Sequence, residues 1–231
     1  MSPSETACGT ITSRKFPAEA QRDMRRGQPT VTGIRLSGRV VLAAAAVTLL
    51  TVPAASSATA APVKGCPDIQ AFSQDMLRAH NMLRARHGSP PLVLDKDASN
   101  AAQKWADHLA VGPDGQVKHG GQEKPGGGDP GRYGQNISWI AGQRLPTAEA
   151  VAGSWYSEIN NYNFDNPGVQ PGRGSTENFT QLVWAATKKL GVGVACKPNP
   201  NHGMQMYTVT DYDPAGNYLD GYDDNVRRPR S

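Results

Sequence analysis

Glu177 to Thr187 reads ENFTQLVWAAT. Its neighbours decide how it folds: a loop, Asn163 to Ser175, leads into it, and two strand-like runs, Leu190 to Cys196 and Met204 to Asp211, follow it. Those runs are joined at the turn Pro198-Asn199-Pro200-Asn201, so they are expected to pair antiparallel. The stretch itself reads as a short helix. Helices and short antiparallel strands follow one another along the chain without regular strand-helix alternation and without an internal repeat. That order implies an α+β sandwich.

Three longer helices and one more strand are expected upstream. Ile69, Phe72, Met76, His80, Leu83 and His87 recur at three- and four-residue steps, marking an amphipathic helix that starts after Pro67-Asp68 and ends at Gly88, before Ser89-Pro90-Pro91. A second helix is predicted over about 96–111, its stripe carried by Ala98, Ala101, Trp105 and Leu109. Residues 112–134 are rich in Gly, Pro and charge and read as a long loop. Gln135 to Ile140 reads as a strand. Thr147, after Pro146 and ahead of Glu149, is the expected N-cap of a third helix with the inward stripe Val151, Trp155, Glu158 and Tyr162. Glu158 is the odd member, because an ionised carboxylate among apolar positions is costly unless it is paired or faces a polar cavity. A cavity-facing role is preferred to a slip of helical register.

Residues 1–61 have the composition of an export leader. Arg14, Lys15, Arg22, Arg25, Arg26, Arg35 and Arg39 precede the uncharged run Val40 to Val52, and Ala58-Thr59-Ala60 offers small residues of the cleavage type. Met24 is a candidate start. The apolar run is shorter than the roughly 18 to 20 residues that span a bilayer, which makes an uncleaved anchor the lesser reading. The leader holds seven basic and three acidic residues, so of 24 basic and 20 acidic residues in the chain, 17 of each remain. That balance speaks against nucleic acid and against a polybasic membrane contact. Arg227-Arg228-Pro229-Arg230 is a local exception, expected as a solvated tail. The expected division is therefore a removed extension over 1–61, a linker over 62–67, a domain over 68–220 and a basic tail over 221–231.

Cys8 belongs to the leader, leaving Cys66 and Cys196 as an even pair in an oxidising compartment. A bridge between them would close a loop of about 130 residues and contribute about 4 to 5 kcal/mol in the chain-entropy model. Two separate thiols are the alternative. His80 and His87 lie on the core-facing stripe and read as structural, His119 taken alone reads as an exposed loop histidine, and His108 and His202 carry no pattern. Glycosylation sequons fall at Asn136-Ile137-Ser138 and Asn178-Phe179-Thr180, silent in the bacterial host that the leader suggests. The sequence has no nucleophile elbow, phosphate loop, HExxH helix or CxxC pair.

Four segments in order resemble the CAP superfamily of cysteine-rich secretory proteins, insect venom antigens and plant pathogenesis-related proteins. His80-Asn81-Met82-Leu83-Arg84, with His87-Gly88 and Pro90-Pro91-Leu92, resembles the first-helix pattern HNxxR and its sequel. Gly134-Gln135-Asn136-Ile137 resembles the GEN strand motif. Glu177 to Thr187 matches its family signature except at Asn178, where a histidine is usual. Thr210 to Tyr218, TDYDPAGNY, resembles the C-terminal signature, with Thr210 where many members place cysteine. The resemblance covers about Asp68 to Tyr218 and implies the CAP/SCP α-β-α sandwich around a central antiparallel sheet.

It also implies a cleft lined by two histidines and two acids, which in several members binds a divalent cation. The corresponding positions are His119, Gln135, Glu158 and Asn178, so one acid and one histidine are replaced by amides. Zinc wants about three or four nitrogen, sulfur or carboxylate ligands, and His119 and Glu158 alone would hold it weakly. Neither amide can act as a general base. The expected function is therefore a secreted, non-catalytic domain without a tightly held cofactor, whose cleft binds a lipid-like or sterol-like small molecule or a cell-envelope component. The competing expectations are a divalent-metal-dependent hydrolase of envelope peptide or glycan, and a structural or adhesive module.

Overall fold

The computed structural model describes residues 8–11, 65–113, 117–120, 132–169 and 172–230. The chain divides into two units, of which Pro17–Ala61 lies wholly outside the described residues, as does the expected apolar leader within it. In the other unit the elements run β1 (Cys8–Ile11), α1 (Ile69–Arg86), β2 (Val93–Leu94), α2 (Lys96–Val111), β3 (Gly134–Gly142), α3 (Ala148–Tyr156), α4 (Glu177–Val183), β4 (Lys189–Asn199), β5 (Gly203–Asp213) and α5 (Tyr222–Asn225). The strands form one sheet in the order β1-β3-β5-β4-β2, antiparallel throughout except for the short parallel pairing of β2 with β4. This is the expected α+β architecture. Cys8–Ile11, expected within a removed extension, pair with Ile137–Ile140 of β3 in the full chain.

Local chemistry sets the helix ends. Asp68 caps α1, accepting from the Ala71 amide at 2.8 Å, and Asp95 does the same for α2 at Ala98 (3.0 Å). Thr147 caps α3 at Ala150 (3.2 Å), as its position predicts. After Tyr156 the chain tightens into a 3-10 turn, Ser157–Asn161, and this turn carries Glu158.

Two apolar layers sandwich the sheet. On one face Phe72, Met76, Val151, Trp155, Phe179, Leu182 and Trp184 gather α1, α3 and α4 onto β4 and β5. On the other, α2 brings Ala102, Ala106 and Leu109 against Ile137, Tyr207 and Val209. The buried stripe of α2 is Ala98, Ala102, Ala106, Leu109 and Ala110, not the expected Ala98, Ala101, Trp105 and Leu109. The reason lies in the sheet: at Gly191 and Gly193 an added Cβ would overlap the backbone of Ala98 and Ala102, so helix and strand approach through their smallest residues. Trp105 is turned aside, its indole N–H donating to the Lys118 carbonyl at 3.0 Å.

Cys66 and Cys196 form a disulfide that ties the start of the domain to β4. Within the basic tail expected over 221–231, Tyr222 and Val226 are buried, whereas Arg227 to Arg230, expected as solvated, are exposed, with His87 Nδ1–H donating to the Arg227 carbonyl at 2.6 Å. Among the described residues no helix is long and apolar enough to cross a membrane.

Candidate functional site

The four motif segments meet in one buried hydrogen-bonded network. His80 Nδ1 lies 2.8 Å from the Met76 carbonyl and must donate there, so its Nε2 accepts from the Tyr212 hydroxyl at 2.8 Å. That hydroxyl in turn accepts from Asn136 Nδ2 (3.0 Å) and from Thr210 Oγ1 (3.1 Å). Asn136 Nδ2 also donates to the Asn178 carbonyl at 3.0 Å, joining β3 to α4. Burial pushes the His80 imidazole down to about 4, against a partial upward pull from the Met76 bond, so it is neutral at neutral pH.

Arg84, the last residue of HNxxR, is fully buried and spends its guanidinium on carbonyls. Nε donates to Pro90, Nη1 to Leu182 and Trp184, and Nη2 to Thr187, all at 2.8–3.0 Å. It therefore serves the C-terminal end of α4, where the helix dipole is negative, at Leu182 and the cap Trp184, while Ser89 Oγ donates to the Val183 carbonyl at 2.6 Å. Desolvation lowers Arg84 to about 10, which leaves it charged. The N-terminal half of α4 is held from the other side. Thr180 Oγ1 donates to Asn217 Oδ1 at 2.7 Å, Asn217 Nδ2 to the Glu177 carbonyl at 2.9 Å, and Gly216 N to Gln181 Oε1 at 2.9 Å.

The four cleft positions are held as two pairs. In the first, Glu158 Oε1 accepts from Asn178 Nδ2 (2.7 Å) and Ser175 Oγ (3.1 Å), while Oε2 accepts from the backbone N–H groups of Asn178 (2.9 Å) and Phe179 (3.2 Å). Four donors fill a carboxylate's four lone-pair directions, and two of them are first-turn amides of α4. Burial still raises the Glu158 carboxyl above its ordinary range, because desolvation outweighs the Asn178, Phe179 and Ser175 bonds. Asn178 is fully buried, and its Oδ1 has no hydrogen-bond partner among the described residues.

In the second pair, Gln135 Oε1 accepts from the Gly120 amide (3.3 Å) and faces His119 Nδ1 (3.2 Å), while Nε2 donates to the Gly120 carbonyl (3.2 Å) and to Asp211 Oδ1 (2.9 Å). An amide oxygen can only accept, so His119 carries its proton on Nδ1 in the neutral state. Asp211 is a site residue that the motif comparison does not supply. Its signal was the alternation Tyr207, Val209, Asp211 on β5, which points a carboxyl into the layer under α2, directly across from Gln135. Burial lifts Asp211 to about 7, partly offset by the Gln135 bond. Strand alternation sends Gln135 and Asn136 to opposite faces of the sheet, so that Gln135 bonds to Asp211 while Asn136 reaches the Asn178 carbonyl.

These contacts do not suit a zinc ion. Glu158 would have to give up amide donors to ligate it, Asn178 turns its Nδ2 to Glu158, and His119 belongs to the other pair. Among the described residues no three His, Cys, Asp or Glu side chains gather.

Residues 77–212 match the model of the cysteine-rich secretory protein family, CAP. The chain belongs to that family. Its CAP domain is 37% identical over 161 residues to the Golgi-associated plant pathogenesis-related protein 1 of Homo sapiens, covering 69% of this chain and 94% of that protein. The secreted protein RBT4 of Candida albicans is 35% identical over 170 residues, but the match spans only 42% of RBT4. The pathogenesis-related protein 1C of Nicotiana tabacum is 32% identical over 151 residues, 65% of this chain and 79% of that one. Among solved structures, BmVAL-1 overlays with a TM-score of 0.49 at 20% identity, covering 69% of this CAP chain and 84% of its own.

Proposed function

We propose that this chain is an exported CAP-domain protein of a bacterial cell envelope that acts by binding rather than by catalysis. Its cleft, built around His119, Gln135, Glu158 and Asn178, takes a small amphipathic, lipid-like or sterol-like molecule or an envelope component. The observation that carries this reading is the saturation of Glu158 by four donors, together with amides at the two positions where the family places an acid and a histidine. A carboxylate committed to the first turn of a helix is a poor base and a poor ligand, whereas Asn178 Oδ1, without a partner among the described residues, offers an acceptor to a polar head group. The basic leader and the Cys66–Cys196 disulfide support export to an oxidising compartment.

The test is solvent extraction of the purified, exported protein followed by mass spectrometry, with competition by the extracted species. A co-purifying molecule that competes for the protein supports the cleft reading; its absence in both assays ends it. Zinc binding at micromolar affinity that disappears in His119→Ala would instead favour the metal-dependent hydrolase.

A further inference from the structure

β3 is the outermost long strand on its side of the sheet, and Gly134–Gly142, GQNISWIAG, contains no charged residue and no proline. Natural edge strands are protected from pairing with other chains by charge, proline, a bulge or brevity. On the opposite edge β2 covers only Lys189 and Leu190, and beyond it α2 side chains cap the β4 backbone: Val192 N donates to Ser99 Oγ (3.3 Å), Val194 N to Gln103 Oε1 (3.0 Å), and Gln103 Nε2 to the Val194 carbonyl (2.8 Å). β3 has no such protection of its own, and what covers it is β1: Cys8 stands opposite Ile140, Gly9 opposite Trp139, Thr10 opposite Ser138 and Ile11 opposite Ile137, antiparallel. The cover comes from a segment that precedes the apolar run of the leader and would be lost with it.

We propose that the edge of β3 is a self-association surface: once Cys8–Ile11 leave it, β3 pairs antiparallel with β3 of a second copy. Three observations select a second copy over an unrelated peptide. The edge already accepts a strand in the antiparallel sense, which is the sense a two-fold axis imposes on two identical strands. Trp139 and Ile140 are only half-buried at this edge, so apolar surface accompanies the free backbone groups. The absence of charge means that two copies of the edge do not repel each other. The proposal rests on the export reading for its occurrence in the cell, while its test does not.

The test uses the full chain in a Cys8→Ser background, so that no disulfide between copies can mimic pairing, and measures mass by sedimentation equilibrium. The parent is expected to be monomeric. Neighbouring N–H groups of a strand point to opposite edges, so one of Thr10→Pro and Gly9→Pro removes a ladder donor from β1 and uncovers β3, and the mass of that variant is expected to double. Adding Ile140→Lys, a charge on the edge, is expected to return it to the monomer. The other of the two variants serves as the control, and unchanged far-ultraviolet circular dichroism confirms that each keeps the fold. Monomeric Thr10→Pro and Gly9→Pro, or a dimer that survives Ile140→Lys, would overturn the proposal. N-terminal sequencing of the exported protein tests leader removal separately.

Discussion

At Asp211 burial lifts the carboxyl from its ordinary 3.8 to about 7, and at His80 it lowers the imidazole from 6.5 to about 4. The consequences for stability have opposite signs. Between pH 4 and 7 the folded chain keeps a proton on Asp211 that the unfolded chain has released, so this group's contribution is lost as pH rises through that window. Between pH 6.5 and 4 the unfolded chain protonates His80 while the folded chain does not, so His80 costs stability as pH falls. The two slopes oppose each other. Asp211→Asn keeps an acceptor for Gln135 and removes only the carboxyl slope. Its stability relative to the parent is expected to grow by about 3 kcal/mol from pH 4 to pH 7, read from urea midpoints across that range; a constant difference would show that Asp211 titrates normally. Glu158 gives a second residue-scale expectation. Glu158→Ala leaves the Asn178 and Phe179 amides buried without their acceptor and is expected to cost about 2 to 3 kcal/mol by the same measurement.

At the scale of the element, α4 is the piece that everything else grips. Its seven residues are too few to be stable alone, and it is held by Glu158 at its start, Arg84 at its end and Asn217 and Gly216 along its side. Arg84→Met keeps the bulk but removes the donors from four carbonyls, with an expected loss of about 3 kcal/mol. Arg84→Lys should rescue little, because one ammonium cannot reach carbonyls that a planar fork spans. Chemical denaturation of the three proteins checks both statements. The same scale shows what the sequence makes legible. Caps at Asp68 and Thr147 and the α1 stripe follow from local chemistry and can be read directly. The α2 stripe cannot, because the alanines that face inward are selected by glycines on β4 about ninety positions away, and periodicity counts Trp105 as core. Glu158 was visible as an anomaly in a helical stripe; that it would sit in a 3-10 turn and serve another helix was not.

For the whole molecule, the Cys66–Cys196 bridge spans 130 residues and closes nearly the entire domain into a loop. Cys66→Ser with Cys196→Ser is expected to cost about 4 kcal/mol, seen as a lowered urea midpoint, while thiol titration of the unfolded, unreduced domain should find neither cysteine free. The four motifs made the fold recognisable because their polar members bond to one another across the core, from His80 through Tyr212 and Asn136 to Asn178. Which partners the four positions take was hidden, since it depends on which face of β3 each neighbour occupies. That burial has a practical consequence for production. Asn136 and Asn178 head sequons, yet both side chains are fully enclosed. In a eukaryotic secretory pathway the sugar is added before folding is complete, and a glycan on either amide could not be accommodated where β3 meets α4. Chains so modified would be retained by quality control, and the yield from such a host would report sequon occupancy rather than the intrinsic stability of the domain.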